Sequence, residues 1–242
     1  MSKKQCWVSK CVGSPDEVFG PLSPEIYDKN GDRVEPLVTP HCWYLPVRRG
    51  RVPFPSLNDA DYARLLFLAS AGPGGSSKIA EYMSKSAYDK LHANLRNLGV
   101  MDQYGNISYS VISSRRPNHM RYVKIYLDPL IHTFWASIGD RFRIATLGRL
   151  VRLSALTSQQ VIYLCAGSDG TGDHARPATE DDLSSFWDVN KNTAQKYLRD
   201  LSNVRFYADG FYRPGLAIWS TDDANYFAIN PYFICPPSFD PY

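Results

Sequence analysis

Asn190, Lys191, Asn192, Thr193, Gln195, Lys196 and Arg199 form a run of amide, hydroxyl and cationic side chains, interleaved with Ala194, Tyr197, Leu198 and Leu201. On a helix, the apolar set makes one buried side and the polar set faces water. Asn and Gln amides pair bidentately with adenine, and Lys or Arg with guanine, so the polar set suits base recognition in a DNA major groove. A second run has the same design. Lys85, Ser86, Tyr88, Lys90 and Asn94, with Asp89 and His92 among them, stand against Ala87, Leu91, Leu95 and Leu98. A solvated helix face is the plain alternative for both runs. The later one carries more base-reading groups and less acid.

Three basic stretches add a capacity for phosphate. Ser114–Arg121 is a short polar loop carrying Arg115, Arg116 and Arg121, and the pre-proline position of Arg116 favours an extended tip. Arg48, Arg49 and Arg51 surround Gly50 in a segment that reads as a linker, a composition that suits an arm lying in an A·T-rich minor groove. Arg141, Arg149 and Arg152 share one side of an apolar helix and are placed either to clamp phosphates or to salt-bridge the acidic C-terminal part. The net charge of +3 hides this distribution. Residues 110–152 hold Arg115, Arg116, Arg121, Lys124, Arg141, Arg143, Arg149 and Arg152 against only Asp128 and Asp140, whereas the remainder of the C-terminal half is acidic. The overall balance excludes a histone-like polycation, and the local one points toward a polyanion.

Catalytic patterns are incomplete. Gly72–Lys78 looks like a phosphate loop, but Ser77 stands before the lysine, Ile79 replaces the Ser/Thr, and a helix precedes it instead of a strand. His41, His92, His119, His132 and His174 form no His-x-His or His-Glu-x-x-His pair, and no Gly-x-Ser-x-Gly elbow occurs. Cys6, Cys11, His41 and Cys42 are the one set with donor types for zinc, yet the Cys-x4-Cys spacing is wide and adjacent His41 and Cys42 would ligate with strain. Buried or free thiols are the preferred assignment. The expectation is a chain that is no enzyme, with no cofactor and no structural metal.

The elements that must hold these residues follow from periodicity. The chain has 242 residues, 44% of them hydrophobic, enough for one large or two small packed domains. Its apolar runs are far short of a membrane span, no signal core follows Met1-Ser2-Lys3-Lys4, and five cysteines without a secretion signal suit a reducing compartment, so a cytoplasmic location is expected. Asn58 with Asp61 predicts a helix start, and the helix continues through Leu65–Ala69. Ser76 or Ser77 caps a short helix Lys78–Met83, and Ser86 with Asp89 opens a third that ends at Gly99. Ile107, Tyr109 and Val111 then alternate as a strand, and Tyr122–Leu127 forms the other arm of a hairpin.

The pattern recurs about a hundred residues later. Leu65–Ala69 pairs with Val161–Cys165, Ile79–Met83 with Leu183–Trp187, Leu91, Leu95 and Leu98 with Ala194, Leu198 and Leu201, and Ile125–Ile131 with Phe227–Phe233. The second copy is predicted to begin with a helix at Thr157 and Gln160. Thr179 should cap its second helix and Asn190 its third, with strands at Arg205–Ala208, Phe211–Tyr212, Leu216–Trp219 and Tyr226–Ile229. Three helices followed by a β-hairpin make a winged helix. The expected fold is therefore α+β: two tandem winged-helix units, each a helix-turn-helix plus a β-hairpin wing, with a short irregular or β N-terminal extension. The boundaries are 1–52 for the extension and basic linker, 53–136 for the first unit, and 137–242 for a linking helix and the second unit.

Asp188–Leu201 resembles the turn and recognition helix of bacterial winged-helix regulators, and together with Phe227–Ile234 it resembles the winged-helix replication initiators of plasmids and phages. The resemblance covers about 50 residues closely. It departs at Thr221, Asp222 and Asp223, which put acid where a DNA-contacting wing usually carries base. It implies a site-specific double-stranded DNA-binding protein of the bacterial cytoplasm, associated with nucleoid or plasmid and with replication machinery, as a possible homodimer and without a membrane partner. A transcriptional repressor working with the transcription machinery uses the same parts, and a winged-helix interaction scaffold without DNA binding is the alternative of another class.

Overall fold

The structure is a computed structural model that describes residues 26–27, 33–34, 42–47, 57–71, 84–108, 112–118, 121–126, 144–157, 163–167, 176–208, 211–220, 225–231 and 233–235. These residues form five α-helices and small antiparallel sheets, a mixed α+β architecture. Arg48, Arg49 and Arg51, the helix expected at Lys78–Met83, the linker arginine Arg141, Cys6, Cys11, His41 and the acidic tip Thr221–Asp223 lie outside the described residues.

Helix α1 spans Asp59–Ala71 and starts as its sequence predicts. The Asn58 side-chain oxygen accepts from the Asp61 N–H at 2.9 Å, and the Asn58 amide donates back to the Asp61 carboxylate at 2.8 Å. Tyr62, Ala63 and Leu65–Leu68 are all buried, so this helix is enclosed on most of its circumference. Helix α2 spans Lys85–Asn97. Its cap is Ser84, whose hydroxyl accepts from the Ala87 N–H at 3.3 Å, and the start therefore falls just ahead of the one expected at Ser86. Its C-terminus is a Schellman arrangement. Gly99, at φ +66°, donates to the Arg96 carbonyl, and the Val100 N–H reaches the Leu95 carbonyl, with Val100 and Leu95 both buried. Leu98, expected on the apolar spine, is the residue that yields to this turn and is 39% exposed.

Helix α3, Ile144–Leu153, packs directly on α1. The approach is close because position 148 is glycine: a Cβ there would lie 1.5 Å from the Asp59 carbonyl oxygen. The helix ends in a 3-10 turn at Ser154–Leu156. Thr157, where the sequence predicts a helix start, is extended, and its hydroxyl turns back to donate to the Ser154 carbonyl at 2.7 Å; residues 158–162, which would carry that helix, lie outside the described residues. The expected match of Val161–Cys165 to the helical α1 core does not hold at its described end, since Leu164 forms a β-bridge to Thr157 and Cys165–Ala166 is strand β5, paired with β6 at Arg176–Pro177; Val161 and Ile162 lie outside the described residues. Among the described residues of the second half, the helix that precedes Thr179 is α3, which the sequence presents as a linking helix.

Helices α4 (Glu180–Trp187) and α5 (Lys191–Ser202) start on the expected caps, Thr179 and Asn190. Strands β7 (Arg205–Ala208) and β8 (Phe211–Pro214) form one hairpin, and β9 (Leu216–Ser220) and β10 (Asn225–Ile229) another. The Leu164 N–H donates to the Phe227 carbonyl at 2.6 Å, which lays the 164–166 segment beside β10.

The sheet of the first half differs from the expected hairpin. Strand β4 (Tyr122–Tyr126) pairs along its length with β3 (Cys42–Pro46), and Tyr44 of β3 bridges Ser113 on the far side. The strand from the supposed N-terminal extension thus lies between Ser113 and β4, while Tyr109 and Val111 of the predicted first arm lie outside the described residues. On the other edge of β4 sits β11, Ile234–Cys235. Two-residue strands β1 (Ile26–Tyr27) and β2 (Arg33–Val34) pair with each other.

Asn230 sets up the return of β11. It is buried, its side-chain amide donates to the Pro214 carbonyl at 2.9 Å, and its own carbonyl accepts from the Phe233 and Ile234 N–H groups. One apolar cluster runs through Leu45, Leu66, Leu95 and Ile125 to Leu150, Leu183, Leu198 and Phe227, so the two halves share a core.

Gly148→Ala should destabilise the protein by about 1–3 kcal/mol, because overpacking against the α1 backbone outweighs the better helix propensity of alanine. Urea unfolding of the two proteins measures this; a neutral or stabilising change would contradict the close approach.

Candidate nucleic-acid interface

Helices α4 and α5 meet across the turn Asp188-Val189-Asn190. Asp188 is left-handed (φ 54°, ψ 51°), a conformation that Asp tolerates better than most side chains. The Val189 N–H reaches the Ser184 carbonyl at 3.1 Å, and the Ser184 hydroxyl donates to the Val189 carbonyl. Val189 packs onto the core cluster. Trp187 meets Tyr197 edge-on at 5.5 Å between centroids, joining the end of α4 to the middle of α5. The corner is therefore fixed by backbone, hydroxyl and aromatic contacts together.

The start of α4 is fixed as firmly. The Thr179 hydroxyl accepts from the Asp182 N–H, and the Asp182 carboxylate accepts from the Thr179 N–H at 2.8 Å, a complete capping box. Arg176 adds a two-pronged contact to the same carboxylate, 2.7 Å on one side. The Arg176 hydrogen bond first, and then those from Thr179, hold the Asp182 carboxyl well below the usual carboxylate range, and the same bond raises the Arg176 guanidinium.

Helix α5 presents its polar residues as its periodicity requires. Asn190, Lys191, Asn192, Gln195, Lys196 and Arg199 are exposed, while Ala194, Leu198 and Leu201 are buried. Thr193 and Tyr197 are half-buried. The Asn190 side-chain oxygen is already engaged, accepting from the Thr193 N–H at 2.9 Å as the helix cap. Lys191 sits 3.2 Å from the Asp181 carboxylate, and the Gln195 amide donates to Glu180 at 2.9 Å. Both partners belong to the acidic first turn of α4, which the sequence marks only as favourable to the helix dipole. Asn192, Lys196 and Arg199 have no side-chain partner among the described residues.

The first run is less open than its spacing suggests. Lys85, Ser86 and Lys90 are exposed on α2, but Tyr88 and Asn94 are half-buried. Tyr88 packs against His92 with 4.1 Å between ring centroids. Burial, and then the charge of Arg96, push the His92 imidazole below its ordinary pKa. Beyond α2 the chain makes a tight turn in which the Asp102 carboxylate accepts from the N–H groups of Tyr104 and Asn106 and from the Asn106 amide.

The basic stretches divide. Arg115 and Arg116 are exposed, and Arg116 lies 5.6 Å over the Tyr122 ring. Arg121, expected on phosphate with them, is half-buried and donates to the Thr157 carbonyl, joining the two halves. Arg149 and Arg152 are also turned inward, both onto Asp59 of α1, because α3 packs with that side against α1. Compared with protein-family models, curated proteins and solved structures, the chain matches none.

Because Asp182 has a lower pKa folded than unfolded, its contribution to stability is present at neutral pH and is lost as pH falls below about 4, through the unfolded value and toward the folded one. Unfolding measured between pH 7 and pH 3 should show the advantage of the native protein over Asp182→Asn shrinking with acid. A constant difference would place the Asp182–Arg176 contact outside the native balance.

Proposed function

We propose that this chain is a site-specific double-stranded DNA-binding protein built as two tandem winged-helix units, with α5 as its main recognition helix and α2 as the counterpart in the first half. The observation that carries the reading is the exposed stripe of Lys191, Asn192, Gln195, Lys196 and Arg199 on a helix whose opposite side is buried. Such a helix enters a major groove with its polar side chains against base edges. The pairs of Lys191 and Gln195 with Asp181 and Glu180 are between exposed groups, so exchanging them for DNA costs little. Arg115 and Arg116 supply phosphate contacts from a loop beside the β3–β4 pair. The proposed role is initiation of replication at a plasmid or phage origin, on the strength of the resemblance of residues 188–201 and 227–234 to initiators of that kind.

Duplexes selected from a random pool by the full chain define the site. Affinity for them should fall steeply with salt, as expected when phosphate contacts release counterions. Lys196→Ala and Arg199→Ala should each weaken specific binding by about 1–3 kcal/mol where they read bases, or reduce the salt slope where they touch phosphate. Retention of no duplex at low salt would overturn the reading. Directly repeated selected sites within an origin support initiation; a single inverted repeat at a promoter would replace it with repression.

A further inference from the structure

Asp59 opens α1, in the first half of the chain, yet its carboxylate is occupied by the second half. Arg149 donates to one of its oxygens through Nε at 2.9 Å, and Arg152 donates to the other. The three side chains are 15%, 12% and 16% exposed. Each guanidinium then lies on a ring of a different helix of the corner. Arg149 stands 3.6 Å from the centre of Tyr197 on α5, and Arg152 stands 5.7 Å from that of Phe186 on α4 and 6.0 Å from that of Tyr62 on α1.

A guanidinium on an aromatic face is attracted by the ring, but the attraction leaves its tilt free. Hydrogen bonds to a carboxylate set that tilt, and here a single carboxylate sets two. Tyr197 lies among the exposed residues Gln195, Lys196 and Arg199 in sequence, so any roll of α5 about its axis that repacks Tyr197 moves those side chains with it. Base reading tolerates only small displacements of its side chains. We infer that Asp59 is a positioning residue for the recognition helix, acting through Arg149 on Tyr197 and Arg152 on Phe186. The inference rests on the DNA-binding reading of α5, and it adds to that reading a determinant about 140 residues away in sequence that touches no DNA.

The test uses the full chain with Asp59→Asn, Tyr197→Leu and Tyr197→Phe. Two quantities are measured: amide hydrogen exchange in α5 without DNA, and the ratio of affinity for the selected duplex to affinity for a random one. Asp59→Asn and Tyr197→Leu should each speed exchange in α5 and lower the selectivity ratio about tenfold, while binding to random duplex persists. Tyr197→Phe keeps the ring and should behave as the native chain. Unchanged α5 exchange with full selectivity in Asp59→Asn would overturn the inference. Should Asp59→Asn fail to fold, Arg149→Lys decides, since it keeps the charge beside Asp59 and removes the planar stack on Tyr197: faster α5 exchange with lower selectivity supports the relay, and native behaviour overturns it. If the native chain binds no duplex, the DNA reading falls separately and exchange in α5 alone judges the relay.

Discussion

The meeting of α1 and α3 at Gly148 is the constraint on which the remaining architecture depends. Only a residue without a Cβ lets the α3 backbone approach the Asp59 carbonyl, and that approach brings Arg149 and Arg152 within reach of the Asp59 side chain. Charges with so little exposure are costly to bury unless each finds a partner. The arrangement answers this with one carboxylate for two guanidiniums and aromatic faces for the rest. The α4–α5 corner then rests on the far side of those guanidiniums. The two halves are thus joined through a polar contact embedded in a shared apolar core.

Local features were legible in the sequence. The caps at Thr179 and Asn190, the stop at Gly99 and the division of α5 into exposed and buried sides all depend on residues within a turn or two of each other, where spacing carries the physics. Long-range pairings were not. That β3 would insert between Ser113 and β4, or that β11 would close the other edge, depends on residues about 70 to 110 positions apart, and no periodicity reports a partner at that distance. The helix expected through Leu164 and Cys165 gave way to a strand for a related reason: a short apolar run serves a strand as well as a helix, and its neighbours decide.

The basic middle segment shows what a charge count conveys and what it omits. Residues 110–152 are rich in arginine, yet Arg121, Arg149 and Arg152 spend their charge on internal acceptors, leaving Arg115 and Arg116 exposed among the described arginines of that segment. Composition records how many cations a segment has. Direction is set by packing, and the side of α3 that packs on α1 is the side carrying these arginines. Conversely, the acidic surroundings of α5 do not close its surface, because Lys196 and Arg199 project beyond the reach of Glu180 and Asp181.

Strand β11 bears on how the chain is made. The pairing edge of β4 that it covers belongs to residues synthesised more than a hundred positions earlier. Until residues 234–235 leave the ribosome and Asn230 turns the chain back, that edge offers unpaired N–H and C=O groups to any passing strand. The first half therefore emerges with a sheet it cannot complete by itself. Its final closure is timed by translation of the second half, and a stalled or shortened chain would carry an open, association-prone edge into the cell.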